Sequence, residues 1–322
     1  MCTRVLWNSN DLAVLCGRSM DWPESTEPLI VAFPRGRKRN GLNPPGLIED
    51  PNPLTWTSRY ASLVTTLYGV GTVDGLNEKG LTVHGLYLAV ADFGARDQSK
   101  PAVSATLWLQ YLLDQAGTVA EALALLEKVE ILKVTAHGHD SNLHLAMEDV
   151  GGDSAIVEYV NGRRVVHHGR QYTLMTNDPT YDEQLALLAK QDFSKPSSTM
   201  PLPGNVNPID RFQRAAYYSA LLPKPGSERE AVADVLAIMR NVSVPFGAPY
   251  HDFGVYNTEY RTVTDLTNRR YFFELTTSPN VIWIDLDRLN LAEGAPTVAV
   301  DPYDYALVGD VTDKFAAREI PF

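Results

Sequence analysis

The chain has 322 residues, 44% hydrophobic and 21% charged, with a formal net charge of −11. This is the balance of a folded globular protein, and an acidic chain without a long basic run is a poor match for nucleic acid. No stretch reaches the ~18 consecutive apolar residues of a membrane helix. Two cysteines, Cys2 and Cys16, argue against a disulfide framework or a zinc ribbon. The first 30 residues hold no basic head followed by an apolar run, so no export leader is read. The expected location is cytoplasmic for the sequence as it stands, and periplasmic if a leader precedes it in nature.

Residues 3–7 and 12–20 read as two strands around the turn Asn8-Ser9-Asn10-Asp11. That hairpin would set Cys2 beside the strand carrying Arg18 and Asp21. Residues 29–33 read as a short strand, and 34–53, rich in Pro, Gly, Arg and Asn, as a long surface loop. Residues 59–73 and 80–90 suggest a strand pair joined through Asp74–Gly80. Helices are predicted over 103–115 and 118–128, the second opened by the Thr118-x-x-Glu121 capping pattern. Strands return at 142–148, 154–160 and 163–168, with Asn161-Gly162 as a type I′ turn signal. A short strand from Tyr172 to Thr176 ends at Asn177-Asp178-Pro179. Helices are expected over 182–191, from Pro208 to about 221, and from Ser227-x-x-Glu230 to about Arg240. Strands at 259–265, 270–277 and 281–285 follow, and the tail after about 290 gives no pattern. Strands arrive in hairpin-linked groups between helical pairs, which predicts an α+β chain of antiparallel sheets with helical layers.

The chemistry begins at Cys2. If Met1 is removed, Cys2 holds a thiol and a free α-amine, so one residue carries nucleophile and general base. Read blandly, Cys2 is a frayed terminus. Arg18 beside a thiol would favour the thiolate, and Asp21 could orient the amine; equally, the two could be a solvated surface pair. Asn177, at a strand end, has the right side chain for an oxyanion donor, although Asn-Asp-Pro is also a plain turn signal. Arg211 alone would be a helix surface charge. Cys16 reads as a buried small hydrophobe. His137-Gly-His139, His144 and His167-His168 lack a metal-site spacing, and no metal is expected. There is no G-x-S-x-G, P-loop or dinucleotide fingerprint. Trp22, Tyr60, Tyr68, Tyr87 and Phe246 could line an apolar acyl pocket or belong to the core.

These pieces together resemble the choloylglycine hydrolase family of N-terminal-nucleophile hydrolases, which contains penicillin V acylases and conjugated bile salt hydrolases. The motifs are Met1-Cys2-Thr3-Arg4, Gly17-Arg18-Ser19-Met20-Asp21-Trp22, Asp74-Gly75-Leu76-Asn77-Glu78-Lys79-Gly80-Leu81, Met175-Thr176-Asn177-Asp178-Pro179-Thr180 and Asp210-Arg211-Phe212-Gln213-Arg214-Ala215. Trp56-Thr57-Ser58, Gly152–Tyr159 and Ser278-Pro279-Asn280 look like the Gram-negative penicillin V acylase branch. The residue at Tyr87 tends to be Trp in that branch, Tyr in Gram-positive acylases and Asn in bile salt hydrolases. The resemblance implies one domain over 2–322, a four-layer αββα sandwich, a homotetramer, no metal and no organic cofactor. It implies Cys2 as nucleophile, Asp21 holding the α-amine, and Arg18 and Arg211 supplying positive charge. Asn177 and the backbone N–H of Tyr87 would form the oxyanion hole. The implied substrate is a small linear amide: penicillin V, a conjugated bile acid or an N-acyl homoserine lactone. The non-enzymatic alternative is a protein that keeps the fold and uses the pocket for binding.

Overall fold

The computed structural model describes residues 1–249 and 255–322. The first hairpin organises one sheet. The Asn10 side-chain oxygen accepts from the N–H groups of Leu12 and Ala13 at 2.9 Å each and closes the turn. Strands Cys2–Trp7 and Leu15–Trp22 then pair with Cys2 opposite Met20 and Arg4 opposite Arg18. Among the described residues this sheet runs Leu174–Met175, Cys2–Trp7, Leu15–Trp22, Val255–Asp265, Arg270–Leu275, Val281–Asp285 and Gly309–Asp310, with Ala248–Pro249 beside Val255–Asp265.

The second sheet runs Arg163–His168, Ser154–Val160, Leu143–Glu148, Thr82–Tyr87, Gly71–Asn77, Ser62–Leu67, Ile30–Phe33, Val298–Val300 and Ala316–Ala317. Side chains alternate between its faces. Ile30, Ala32, Leu63, Leu86, Ala146 and Ile156 join the core shared with the first sheet. Val31, Phe33, Val64, Val83, Leu145 and Val157 face the opposite core, with helices α1 (Trp108–Gln115) and α2 (Val119–Leu126). On the far side of the first sheet pack α3 (Tyr181–Leu188), α4 (Pro208–Ser219) and α5 (Glu228–Asn241). The result is the expected α+β, four-layer αββα sandwich. Gly17 lets α5 approach closely, since a Cβ there would meet Met239 Cγ at 2.6 Å.

Three local expectations change. The strand predicted over 59–73 is two strands, because Tyr68 (φ 52°) and Gly69 (φ 65°) make a tight left-handed turn between Ser62–Leu67 and Gly71–Asn77. Part of the predicted connection 74–80 is therefore strand. The helix predicted over 103–115 starts only at Trp108, after an extended segment Ala102–Ser104 that pairs with Glu130–Leu132. Inside the predicted loop 34–53, Lys38–Asn40 pairs with Thr55–Thr57. The caps read at Thr118 and Ser227 form, accepting from the N–H groups of Glu121 and Glu230, and Asn207, just before Pro208, caps α4 by accepting from Asp210 N.

Candidate active site

Cys2 opens the strand Cys2–Trp7, and alternation sends its side chain into the space between the sheets. Its sulfur lies 3.4 Å from Arg18 Nη2 and 3.8 Å from Met20 Sδ. Arg18 is fully buried; Nη1 donates to Tyr260 Oη at 2.8 Å and Nη2 to the Gly85 carbonyl at 3.3 Å. Its Nε is buried without a partner, and among the described residues no carboxylate stands within ion-pair distance. A buried cation with no anionic partner is costly. The nearby sulfur is the group that can become its anion.

The other face of the strand is polar in a different way. Cys2 N donates to Asn177 Oδ1 at 2.7 Å, and Arg211 Nη2 donates to the same oxygen at 2.9 Å. Arg211, buried on α4, also donates through Nη1 to the Cys2 carbonyl at 2.7 Å and to Thr3 Oγ1 at 2.5 Å, and pairs with Asp21 at 3.3 Å. The Asp21 carboxylate further accepts from Thr258 at 2.6 Å and Ser19 at 3.4 Å. With Met1 in place, the main-chain carbonyl of Asp21 accepts from the Met1 amine, while Asn177 receives the Cys2 N–H. Burial pushes the Met1 amine below its ordinary value of 8.0.

Asn177 and Tyr87 meet. Asn177 Nδ2 donates to the Tyr87 carbonyl at 2.6 Å, which leaves one amide hydrogen for another acceptor. The N–H of Leu88 points to Asn142 across the sheet. Neighbouring residues in a strand direct their backbone groups to opposite sides, so the N–H of Tyr87 turns the other way, with its carbonyl, toward Asn177. The Gly85 carbonyl, two residues earlier, points to that side as well and holds Arg18. Gln184 on α3 fixes the Asn177 segment, donating to the Thr176 hydroxyl and to the carbonyls of Asn177 and Asp178 at 3.0–3.3 Å.

A mostly apolar pocket begins at Cys2 and Arg18 and is lined by Met20, Trp22, Leu67, Tyr68, Val73, Tyr87, Ala136, His139 and Leu143. Trp22 donates to Tyr68 Oη at 2.7 Å and lies 5.8 Å, centroid to centroid, from Tyr87. Two expected lining residues are elsewhere. Tyr60 lies under the cations of Arg59 and Lys79, and Phe246 is 60% exposed; neither lines the pocket. Aromatic character said nothing about the direction in which those side chains face. In their place stands a small hairpin, Thr135–Ala136 with His139–Asp140, turned at His137 and Gly138, both with positive φ. His137 stacks on Tyr68 at 4.1 Å, and His139 meets Trp22 edge-on at 5.0 Å and Glu24 at 3.4 Å. The His-Gly-His segment, read from the sequence only as a weak ligand candidate, supplies part of the pocket wall through His139.

Behind the sulfur lies a buried charge network the sequence did not announce. His84 contacts Asp74 at 2.5 Å through Nδ1 and Glu148 at 2.6 Å through Nε2, and Arg4 pairs with the same Glu148. Tyr271 and Thr262 donate to the other Asp74 oxygen at 2.8 Å each. Burial opposes the charged imidazolium of His84, but Cys16, Glu148 and Asp74 outweigh it and hold its pKa well above 6.5. Burial likewise opposes the two carboxylates, yet Arg4 and His84 hold Glu148, and His84 and Arg18 hold Asp74, below their ordinary values. The ligand atoms of Cys16, His84 and Glu148 lie within 4.8 Å of one another. Both nitrogens of His84 are nevertheless engaged by carboxylates, which makes the cluster a closed ion-pair network. Cys16 is fully buried, as expected, and burial pushes its thiol up to about 11.

Residues 2–306 match the family of linear amide C–N hydrolases, the choloylglycine hydrolase family. The chain belongs to this family and is an amidohydrolase. It is 36% identical over 317 residues to the penicillin V acylase of Pectobacterium atrosepticum, covering 90% of this chain and 82% of that relative. The solved penicillin V acylase from Agrobacterium tumefaciens superposes with a TM-score of 0.88 at 38% identity, over 99% of this chain and 98% of that one. A conjugated bile acid hydrolase from Clostridium perfringens shares the fold at a TM-score of 0.80 and 22% identity, over 96% and 98%.

Proposed function

We propose that this amidohydrolase acts as a penicillin V acylase-type enzyme, with Cys2 as its N-terminal nucleophile after loss of Met1. The observation that carries the reading is Arg18: a buried, carboxylate-free cation 3.4 Å from the Cys2 sulfur at the end of an apolar pocket. In the mature chain the α-amine of Cys2 takes the thiol proton, and Arg18 stabilises the thiolate. The thiolate attacks the amide carbonyl. The free hydrogen of Asn177 Nδ2 and the N–H of Tyr87 receive the developing oxyanion, one such donor being worth ~3–4 kcal/mol of barrier. The C–N bond breaks as the α-ammonium protonates the leaving nitrogen, and water then hydrolyses the thioester. Nucleophile and base share one residue, so no second side chain has to be brought into register.

The acyl group is taken to occupy the pocket of Trp22, Tyr68, Tyr87 and Leu143. Contacts among Trp22, Tyr68 and Tyr87 favour a slim aryl or alkyl chain, phenoxyacetyl among them, over a fused steroid. The test begins with intact mass, followed by hydrolysis of penicillin V, glycocholate and a long-chain acyl homoserine lactone on the same batch. Loss of Met1 with turnover of penicillin V above glycocholate is expected. Cys2→Ala should abolish turnover of every amide with the fold retained. Full activity in protein whose mass still includes Met1 would rule out the amine as base.

A further inference from the structure

The pocket above accounts for the acyl side of the scissile bond. The amine side has to lie near the Cys2 nitrogen, because that nitrogen delivers the proton to the leaving group. Met1 occupies that position. Its carbonyl carbon is bonded to the Cys2 nitrogen, and its residue is 3% exposed. Met1 clusters with Val244 and Tyr256, and Trp22, Val206 and Ala248 pack against the cluster. The main chain is held as well: the Met1 carbonyl accepts from Asp21 N at 2.7 Å, and the Met1 amine donates to the Asp21 carbonyl. Arg211 Nη2, already donating to Asn177, lies 4.0 Å from the Met1 sulfur, a weak acceptor.

When Met1 leaves, the Cys2 nitrogen gains hydrogens in the direction of the departed carbonyl. One N–H remains on Asn177. Any hydrogen given to a leaving amine therefore points into the space the Met1 residue filled. Among the described residues that space is bounded by Val206, Val244, Ala248 and the rings of Trp22 and Tyr256, has the Arg211 guanidinium at one edge, and shares Trp22 with the acyl pocket. We propose that the Met1 nest is the leaving-group subsite of the mature enzyme, shaped for an amine with a compact apolar body and a hydrogen-bond acceptor for Arg211. This rests on the reading of Cys2 as an N-terminal nucleophile. Trp22 is then the partition between the two halves of the substrate. Retained Met1 obstructs the enzyme twice, by acylating the base and by filling the subsite.

The test is a binding measurement, which does not depend on turnover. Two forms of the protein are prepared, one with Met1 removed and one with Met1 retained by inhibiting methionine aminopeptidase during expression. Each is titrated by calorimetry with 6-aminopenicillanic acid, the amine released from penicillin V, and separately with phenoxyacetate. The Met1-free form is expected to bind the amine at least tenfold more tightly than the Met1-bearing form. Filling the nest from its far wall with Val244→Phe, or from the half-buried Ala248→Phe should Val244→Phe fail to fold, is expected to weaken amine binding at least fivefold. Phenoxyacetate affinity should change by less than twofold. Equal amine affinity in the two forms overturns the proposal, as does parallel loss of amine and phenoxyacetate in the variants. Absence of turnover on every amide would count against the catalytic reading and leave these affinities readable.

Discussion

Asn177 is the residue at which the catalytic reading is most exposed to refutation, because its two ends do different things. Its oxygen anchors the Cys2 nitrogen at 2.7 Å and Arg211 at 2.9 Å; its nitrogen holds the Tyr87 carbonyl at 2.6 Å and keeps one hydrogen free. Asn177→Ala removes both functions, and Asn177→Asp keeps the oxygen acceptor while replacing the donor with a second oxygen. If the donor serves the oxyanion, its loss costs about 3–4 kcal/mol, or 10²–10³ in kcat. The aspartate variant should then be at least as impaired as the alanine variant, since it sets negative charge against negative charge. If the residue only anchors Cys2, a neutral hydrogen bond of about 1 kcal/mol is at stake in the alanine variant and the aspartate variant is spared. The assay is steady-state hydrolysis of a chromogenic aryl amide of phenoxyacetic acid, with Met1 removal verified by mass for each variant. An Asn177→Asp kcat within tenfold of the parent would refute the oxyanion assignment.

Other predictions separate charge, reactivity and positioning. Arg18→Met should lower kcat/KM by about 10²-fold yet leave stability within ~1 kcal/mol, because the lost cation has no carboxylate partner to strand; a large drop in Tm would show that Arg18 is structural. Iodoacetamide should label Cys2 far faster than Cys16, whose thiol is buried and raised to about 11; equal labelling by peptide mapping would contradict the assignment. Gln184→Leu should cut kcat about tenfold by loosening the Asn177 segment at constant acyl preference, and an unchanged kcat would show that the segment holds itself. For the inner network, His84 has a raised pKa, so its contribution is complete below 6.5 and is lost as pH rises through the folded value. Asp74 and Glu148 are depressed, so theirs is complete above ordinary carboxylate values and is lost as pH falls toward the folded ones. Urea titrations from pH 5 to 9 should therefore show a decline above pH 6.5 that His84→Gln removes. Glu148→Gln, which strands Arg4 and leaves His84 only Asp74, should cost about 3–5 kcal/mol.

What the sequence disclosed was local. The polar turn at Asn8–Asp11 forces the first hairpin, and the hairpin alone carries Arg18 and Asp21 to Cys2. Capping patterns marked Thr118 and Ser227 because each satisfies a donor three residues away, and Pro208 marked the first turn of α4. Long-range chemistry was hidden by the same logic. Arg4, Asp74, His84 and Glu148 come from four strands, and each reads singly as a surface residue; only sheet packing turns them inward onto one another. Tyr68-Gly69 did not read as a turn because a tyrosine at positive φ is uncommon, and it is tolerated here with its hydroxyl held by Trp22 and Glu24 and its ring by His137. Tyr60 and Phe246 were misplaced for want of any signal of direction.

The two buried charge systems on this sheet pair explain why the nucleophile sits where it does. The Arg4–Glu148–His84–Asp74 system is nearly self-contained: every carboxylate faces a cation or a donor, and it clamps the strand Cys2–Trp7 to Thr82–Tyr87 one residue pair away from the sulfur. That clamp fixes the strand whose next members, Gly85 and Tyr87, hold Arg18 and receive Asn177. Arg18 itself has no carboxylate in ion-pair contact among the described residues; Asp74 acts on it only from a distance. A buried guanidinium with no carboxylate in ion-pair contact, set beside a thiol, is placed so that a thiolate would complete its electrostatics. Under the proposed mechanism, the cost of burying this guanidinium is offset when a thiolate forms beside it, so the geometry that weakens the core would also favour the nucleophile.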